Sequence, residues 1–215
     1  MRVKSTTSGL LVLVSIVIFS GMFEVFGQAK PAIVVLNKND NDLAIVDPAS
    51  MKVTERVPVG EGPHEVVISD DGKTAFVANY GAQTPGNTLS IIDIASAKEL
   101  RRVDLGPLLR PHGIQLIGGK LYFTAEVNRA IARYDPATNR VDWIMGTGQN
   151  ASHMIAGSSD QKAFYTANIG SDTVTMFRFQ NVPPAGSTIT QIAVGKQPEA
   201  IDLSPDGKEV WIGLN

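Results

Sequence analysis

The sequence contains no cysteine. That excludes disulfides, thiolate zinc sites, iron–sulfur clusters and cysteine nucleophiles. Histidine is scarce, with three in 215 residues. Charge is sparse too: 19 Lys and Arg against 21 Asp and Glu leave a formal net charge of −2. Such a chain has no electrostatic reason to seek nucleic acid or an anionic membrane. Also lacking are a glycine-rich phosphate loop, a nucleophile elbow, a His-x-x-x-His pair and a haem-attachment pattern. What the chain has is 43% hydrophobic residues, 20 Gly and 12 Pro, enough apolar material for a core and many turn formers.

The first thirty residues read as an address. Arg2 and Lys4 precede an apolar run from Gly9 to Phe23, which Glu24 interrupts, and Gly27-Gln28-Ala29 supplies small residues for a cleavage site. This is the three-part pattern of a secretory signal peptide. The run is shorter than the ~20 residues a membrane span needs. The expectation is removal of residues 1–29, a mature chain starting at Lys30, no stable membrane insertion, and a periplasmic or secreted location.

The rest is one unit written several times. With Gly60-Glu61-Gly62-Pro63-His64 as the register mark, similar segments end at Pro111-His112, Ser152-His153 and Pro198-Glu199, at steps of 48, 41 and 46 residues. An aromatic column runs Phe76, Phe123, Tyr165, Trp211, and a small-residue column Ala78, Ala125, Ala167, Gly213. Asp47, Asp93 and Asp135 each open a turn, whereas Arg178 takes that place in the next copy, whose turn lengthens through Pro183-Pro184-Ala185-Gly186. Each unit reads as four short strands, A to D, with glycine turns such as Asp70-Asp71-Gly72 between the first two. The third complete copy has the weaker Ser159-Asp160-Gln161 there. No later segment keeps a helical period.

Four strands in each repeat of ~40–45 residues specify an all-β fold, a β-propeller of four-stranded antiparallel blades. A lone blade leaves apolar side chains bare on both faces, and stacking blades hides them. The expected units are 32–59, 60–105, 106–147, 148–194 and 195–215, an open arc of about four and a quarter blades.

Tyr165-Thr166-Ala167-Asn168, Phe76-Val77-Ala78-Asn79 and Phe123-Thr124-Ala125-Glu126 resemble the tetrapeptide that names the YVTN, or YncE-like, β-propeller repeat proteins, a WD40-like architecture. Gly60-x-x-Pro63-His64, Ser204-Pro205-Asp206-Gly207-Lys208 and Ile91-Ile92-Asp93 match the flanking consensus. The resemblance covers residues 32–215. It implies a seven-bladed ring of which this chain is a fragment. Related propellers include quinoprotein amine dehydrogenase chains and haem d1 proteins, so the fold alone does not name an activity.

All three histidines, His64, His112 and His153, occupy one repeat position, which Glu199 holds in the fourth copy. Placed just before the innermost strands, they stand near one mouth of the central channel. Imidazoles and a carboxylate are ligand types for Zn, Cu or Fe. The structural alternative is a consensus histidine bonding the backbone where strand D hands over to the next strand A. In a wide channel, rings on adjacent blades stand too far apart to share an ion. Asn79, Asn168 and Glu126 follow strand B and could line a pocket or bond their own turns. Asp47, Asp93 and Asp135 read as turn makers. Arg101, Arg102, Arg129, Arg133 and Arg140 read as solvated surface. Ser152 beside His153 makes no triad, because neighbours on an extended strand point to opposite faces. Two functions follow. One is an extracytoplasmic binding or scaffold module without catalysis, engaging a protein or small molecule at the propeller face or channel and needing no cofactor. The other is a propeller holding a transition metal or redox cofactor on the histidine column, as an oxidoreductase or lactonase-like hydrolase.

Overall fold

The structure, a computed structural model, describes residues 31–181 and 186–215. The expected leader and its cleavage point lie outside the described residues, as does most of the Pro183-Pro184-Ala185-Gly186 turn.

Among the described residues five antiparallel sheets follow one another in sequence. The first holds β1 (Ile33–Asn37), β2 (Asp42–Asp47) and β3 (Lys52–Pro58). The second holds β4 (Pro63–Ile68), β5 (Thr74–Gly81), β6 (Pro85–Asp93) and β7 (Lys98–Asp104). The third holds β8 (Pro111–Ile117), β9 (Lys120–Ala125), β10 (Ala130–Asp135) and β11 (Arg140–Gly146). The fourth holds β12 (Ser152–Gly157), β13 (Ala163–Asn168), β14 (Thr173–Phe179) and β15 (Ser187–Ala193). The last pairs β16 (Pro198–Leu203) with β17 (Val210–Leu214). Each sheet is one repeat unit with strands in sequence order, so no strand crosses between copies. This is a partial β-propeller. Among the described residues the only helical turn is Ile169–Ser171, and no helix is long and apolar enough to cross a membrane.

The turns form where the sequence places them. The Asp47 carboxylate accepts the Ala49 N–H at 2.9 Å and the Ser50 hydroxyl at 2.7 Å. Asp93 accepts the Ser96 N–H at 2.7 Å and Asp135 the Ala137 N–H at 2.9 Å. These carboxylates do as side chains what a tighter backbone turn would do. The weaker third hairpin is held the same way, with Asp160 accepting from the Ser158 hydroxyl at 2.6 Å and the Lys162 N–H at 3.0 Å. Gly118 and Gly119, at φ 56° and 73°, form a two-residue hairpin that only glycine enters without strain.

Strand pairing corrects two columns, because Thr124 and not Ala125 stands at the place of Ala78 in the small-residue column. Phe76 pairs with Val67, whereas the residue facing the corresponding place on β8, Gln115, is Tyr122. The aromatic column is therefore Phe76, Tyr122, Tyr165 and Trp211, and Phe123 belongs to the opposite face. The Gly118-Gly119 turn makes this hairpin two residues shorter than the one between β4 and β5, which keeps the faces of β9 in phase with its neighbours and puts Tyr122, not Phe123, in the column. Phe76 and Ala78 pack against Leu121, Phe123 and Ala125 of the next sheet. Tyr122 packs against Phe164, and Tyr165 joins Ala167 and Ile201. Each sheet thus offers its aromatic column forward and the intervening residues backward. Burying a Phe123-sized side chain contributes about 1.5–3 kcal/mol. Trp211 departs from the pattern, being 66% exposed.

One further reading changes. Arg133 is no solvated cation: its guanidinium bonds both oxygens of Asp142 at 2.8 Å and lies 5.8 Å from the Trp143 ring centre. Arg101 is exposed, and its guanidinium reaches the Tyr134 hydroxyl at 3.4 Å.

Asn79 and Asn168 are buried structural latches. Asn79 accepts the Gly60 N–H at 3.1 Å, which fastens the segment between β3 and β4, and donates to Thr88 and Ser90 at 3.0 and 2.9 Å. Asn168 accepts from Ser152 and donates to Thr175, both at 2.9 Å. In the third sheet Ala125 takes the latch position, opposite Pro111 as Asn79 is opposite Pro63. Glu126 lies one residue beyond and is released for other contacts.

Candidate functional site

The inner strands β4, β8, β12 and β16 share a local irregularity. Their pairing with strand B slips by one residue between Pro63 and Glu65, Pro111 and Ile114, Ser152 and Ile155, and Pro198 and Ile201. These are β-bulges, which leave one residue outside the ladder and re-aim its side chain. His64, His112, His153 and Glu199 all sit in them, as the second residues of their strands rather than in the segments before them. The residue before each strand, Gly62, Arg110, Ala151 or Gln197, is left-handed at φ 57°, 54°, 49° or 46°. The chain thus enters every inner strand through the same bend.

Bulges on successive inner strands bring the histidines together. The His64 and His112 ring centres are 4.0 Å apart and those of His112 and His153 3.7 Å, with interplanar angles of 46° and 35°. The expected separation of rings on adjacent blades is therefore wrong: the imidazoles touch. The close step has a cause in Gly113. A Cβ there would lie 2.7 Å from the His153 carbonyl oxygen and 2.8 Å from the Ile155 nitrogen. The Thr124 hydroxyl seals the same contact, accepting from the Gly113 N–H at 3.0 Å and donating to the His153 carbonyl at 2.6 Å.

The three rings differ in what surrounds them. His112 is 1% exposed, and neither ring nitrogen has a hydrogen-bond partner among the described residues. Burial, and the neighbouring His153, His64 and Lys38, push its pKa down to about 2, so it is neutral at any ordinary pH. The alternative of a consensus histidine bonding the backbone is not what His112 does. His64 Nδ1 also lacks a hydrogen bond and lies 3.5 Å from Glu65 Oε1. His153 is the occupied one: Nδ1 donates to Glu126 Oε1 at 3.2 Å, and Nε2 lies 3.7 Å from Glu199 Oε1.

Around this stack lie residues that the repeat does not mark. Tyr80 donates its hydroxyl to Glu126. Arg110 lies 4.4 Å over the Tyr80 ring centre, and Lys38 Nζ is 5.5 Å from it. Burial and the Glu126 carboxylate raise the Tyr80 phenol above its usual range. Burial alone would raise Glu126 too, but bonds from His153 and Tyr80 hold it below the ordinary carboxylate value. A cavity of about 380 Å³ opens beside the stack, lined by His64, Glu65, His112, His153, Met154 and Glu199 among others. The four column residues are thus gathered at one cavity, with Glu126 behind His153. Tyr80, Arg110 and Glu65 carry no periodic signal, since each stands at a repeat position where the other copies hold something else. Asp47, Asp93, Asp135, Asn79 and Asn168 stay outside it.

Comparison with known proteins agrees with this architecture. A family model described as YNCE-like beta-propeller matches residues 5–175. No curated protein matches. Solved structures that share the fold include hydrazine synthase of Kuenenia stuttgartiensis (TM-score 0.70, 20% identity, covering 84% of this chain and 51% of that one). Another is a functionally unknown protein from Desulfotomaculum acetoxidans (TM-score 0.70, 16% identity, covering 85% and 59%). A third is the dihydro-heme d1 dehydrogenase NirN (TM-score 0.65, 15% identity, covering 86% and 40%). The chain spans roughly half the length of these structures. With that match over most of its length, and one repeat per sheet, the chain belongs to the YNCE-like β-propeller family.

Proposed function

We propose that the chain is an extracytoplasmic binding module, without catalysis of its own, whose ligand seats in the cavity beside the imidazole stack. The basic, then apolar, then small-residue pattern of residues 1–29 supports the compartment. One observation carries the binding reading: buried His112, with both ring nitrogens unpartnered, in the wall of an open cavity. Buried polar atoms are nearly always satisfied, and a ligand in this cavity would satisfy them. Asp47, Asp93 and Asp135 serve the fold as turn makers, and Asn79 and Asn168 as latches.

The test is thermal denaturation of the purified chain against a library of small polar molecules and metal salts. Ala200 lines the cavity and is exposed, so Ala200→Trp fills the cavity without altering the ring stack. The expected result is a set of organic compounds that raise the melting temperature of the unaltered chain and not of Ala200→Trp. Stabilisation of both proteins alike, or of neither by any compound or salt, counts against the site.

A further inference from the structure

The four column residues are equivalent in the repeat, but their surroundings divide them. His153 is engaged by Glu126 and faces Glu199. His64 and His112 keep unpartnered nitrogens, and Glu65 follows His64 on the same strand. One ligand atom from each of His64, Glu65 and His112 lies within 4.8 Å of the other two. At the position of Glu65, opposite the small-residue column, the third sheet has Gly113, whose space is closed by β12. A carboxylate in this row is therefore a feature of the second sheet, not of the repeat.

We propose that His64, Glu65 and His112 bind a divalent first-row transition ion, and that His153 with Glu126 and Glu199 stays outside its ligand set. This rests on reading the cavity as a binding site. Two imidazoles and one carboxylate are borderline donors that favour Zn²⁺ or Cu²⁺ over Mg²⁺ or Ca²⁺. Donors around a tetrahedral zinc ion lie about 3.3 Å apart, so the three must draw in from their present spacing. His64 and Glu65 can move, with side chains 29% and 33% exposed. His112 is the fixed point, held between two rings. The cavity supplies the route to the ion and leaves its remaining coordination open to water or an organic ligand, as in metal sites that bind substrates.

The experiment uses the full chain with any histidine tag removed. Zinc binding is followed by calorimetry, and Cu²⁺ by the nitrogen hyperfine pattern in its electron paramagnetic resonance spectrum. A single ion is expected, with two imidazole nitrogens on copper. His64→Ala and Glu65→Gln should each weaken binding by at least the tenfold that loss of even an outer-shell partner costs. Glu65→Gln is at the surface of the cavity, so it remains informative if His64→Ala folds poorly. His153→Phe, which keeps a ring against His112 but removes the imidazole nitrogens, should leave affinity within a fewfold. No binding, binding indifferent to Glu65→Gln, or binding lost in His153→Phe overturns the assignment. The two readings fail separately: organic ligands blocked by Ala200→Trp without any zinc uptake sink the metal and leave the cavity a binding site.

Discussion

At the scale of single residues, His112 links the fold to solution conditions. In the metal-free chain its folded pKa is about 2, against ~6.5 in an unfolded chain. Below about 6.5 the unfolded state takes up a proton that the folded state refuses, so folding stability falls with pH by up to about 1.4 kcal/mol per unit. The full contribution is present above that value and is lost progressively on acidification. Urea midpoints measured from pH 7 to 5 should therefore decline, and His112→Phe, which keeps a ring in the stack, should flatten the decline. An unchanged slope in the variant would remove His112 as its source. Gly113 makes a second prediction at this scale. Its missing Cβ lets β8 approach the backbone of β12, so Gly113→Ala should cost about 1–3 kcal/mol, read as a lower midpoint.

At the scale of strands and turns, the Asn79 latch decides how firmly the segment between β3 and β4 is held to the second sheet. Asn79 joins the Gly60 N–H to two hydroxyls of its own sheet. Asn79→Ala should cost about 3 kcal/mol, because the buried groups it leaves stay unsatisfied. Hydrogen exchange should quicken first at Gly60 and along β6. A loss confined to the chain ends would argue against a latch.

This is also the scale at which sequence reading succeeded and slipped. Turn aspartates and alternating apolar residues are local signals, and they marked the four-stranded unit, although Arg178 holds the aspartate's place in the fourth sheet. Tyr122-Phe123-Thr124-Ala125 offers two aromatics, each followed two places on by a small residue. Which of them faces forward depends on the two-residue Gly118-Gly119 turn and on the bulge at His112. Neither changes composition, so the column was read one residue out. The bulges themselves were invisible, because a ladder irregularity is a property of pairing.

At the scale of the whole molecule, the histidine column was legible because repetition exposes any residue type that is rare elsewhere. Its neighbours were not. Lys38, Tyr80 and Glu126 follow strand B at one repeat position but are three different residue types, and Glu65 and Arg110 have no like residue in the other copies, so no column marks them in the sequence. The 4.0 and 3.7 Å ring steps likewise follow from how closely inner strands approach, which no spacing along the chain encodes.

The bulges have a consequence beyond this ligand set. A residue that stands outside the ladder gives the sheet nothing and takes nothing from it, so each inner strand carries a socket. Histidine fills three of these sockets and glutamate the fourth, and the strands around them keep the same register rule. Chemistry at the hub can thus be exchanged one wedge at a time while the wheel that carries it is left unaltered.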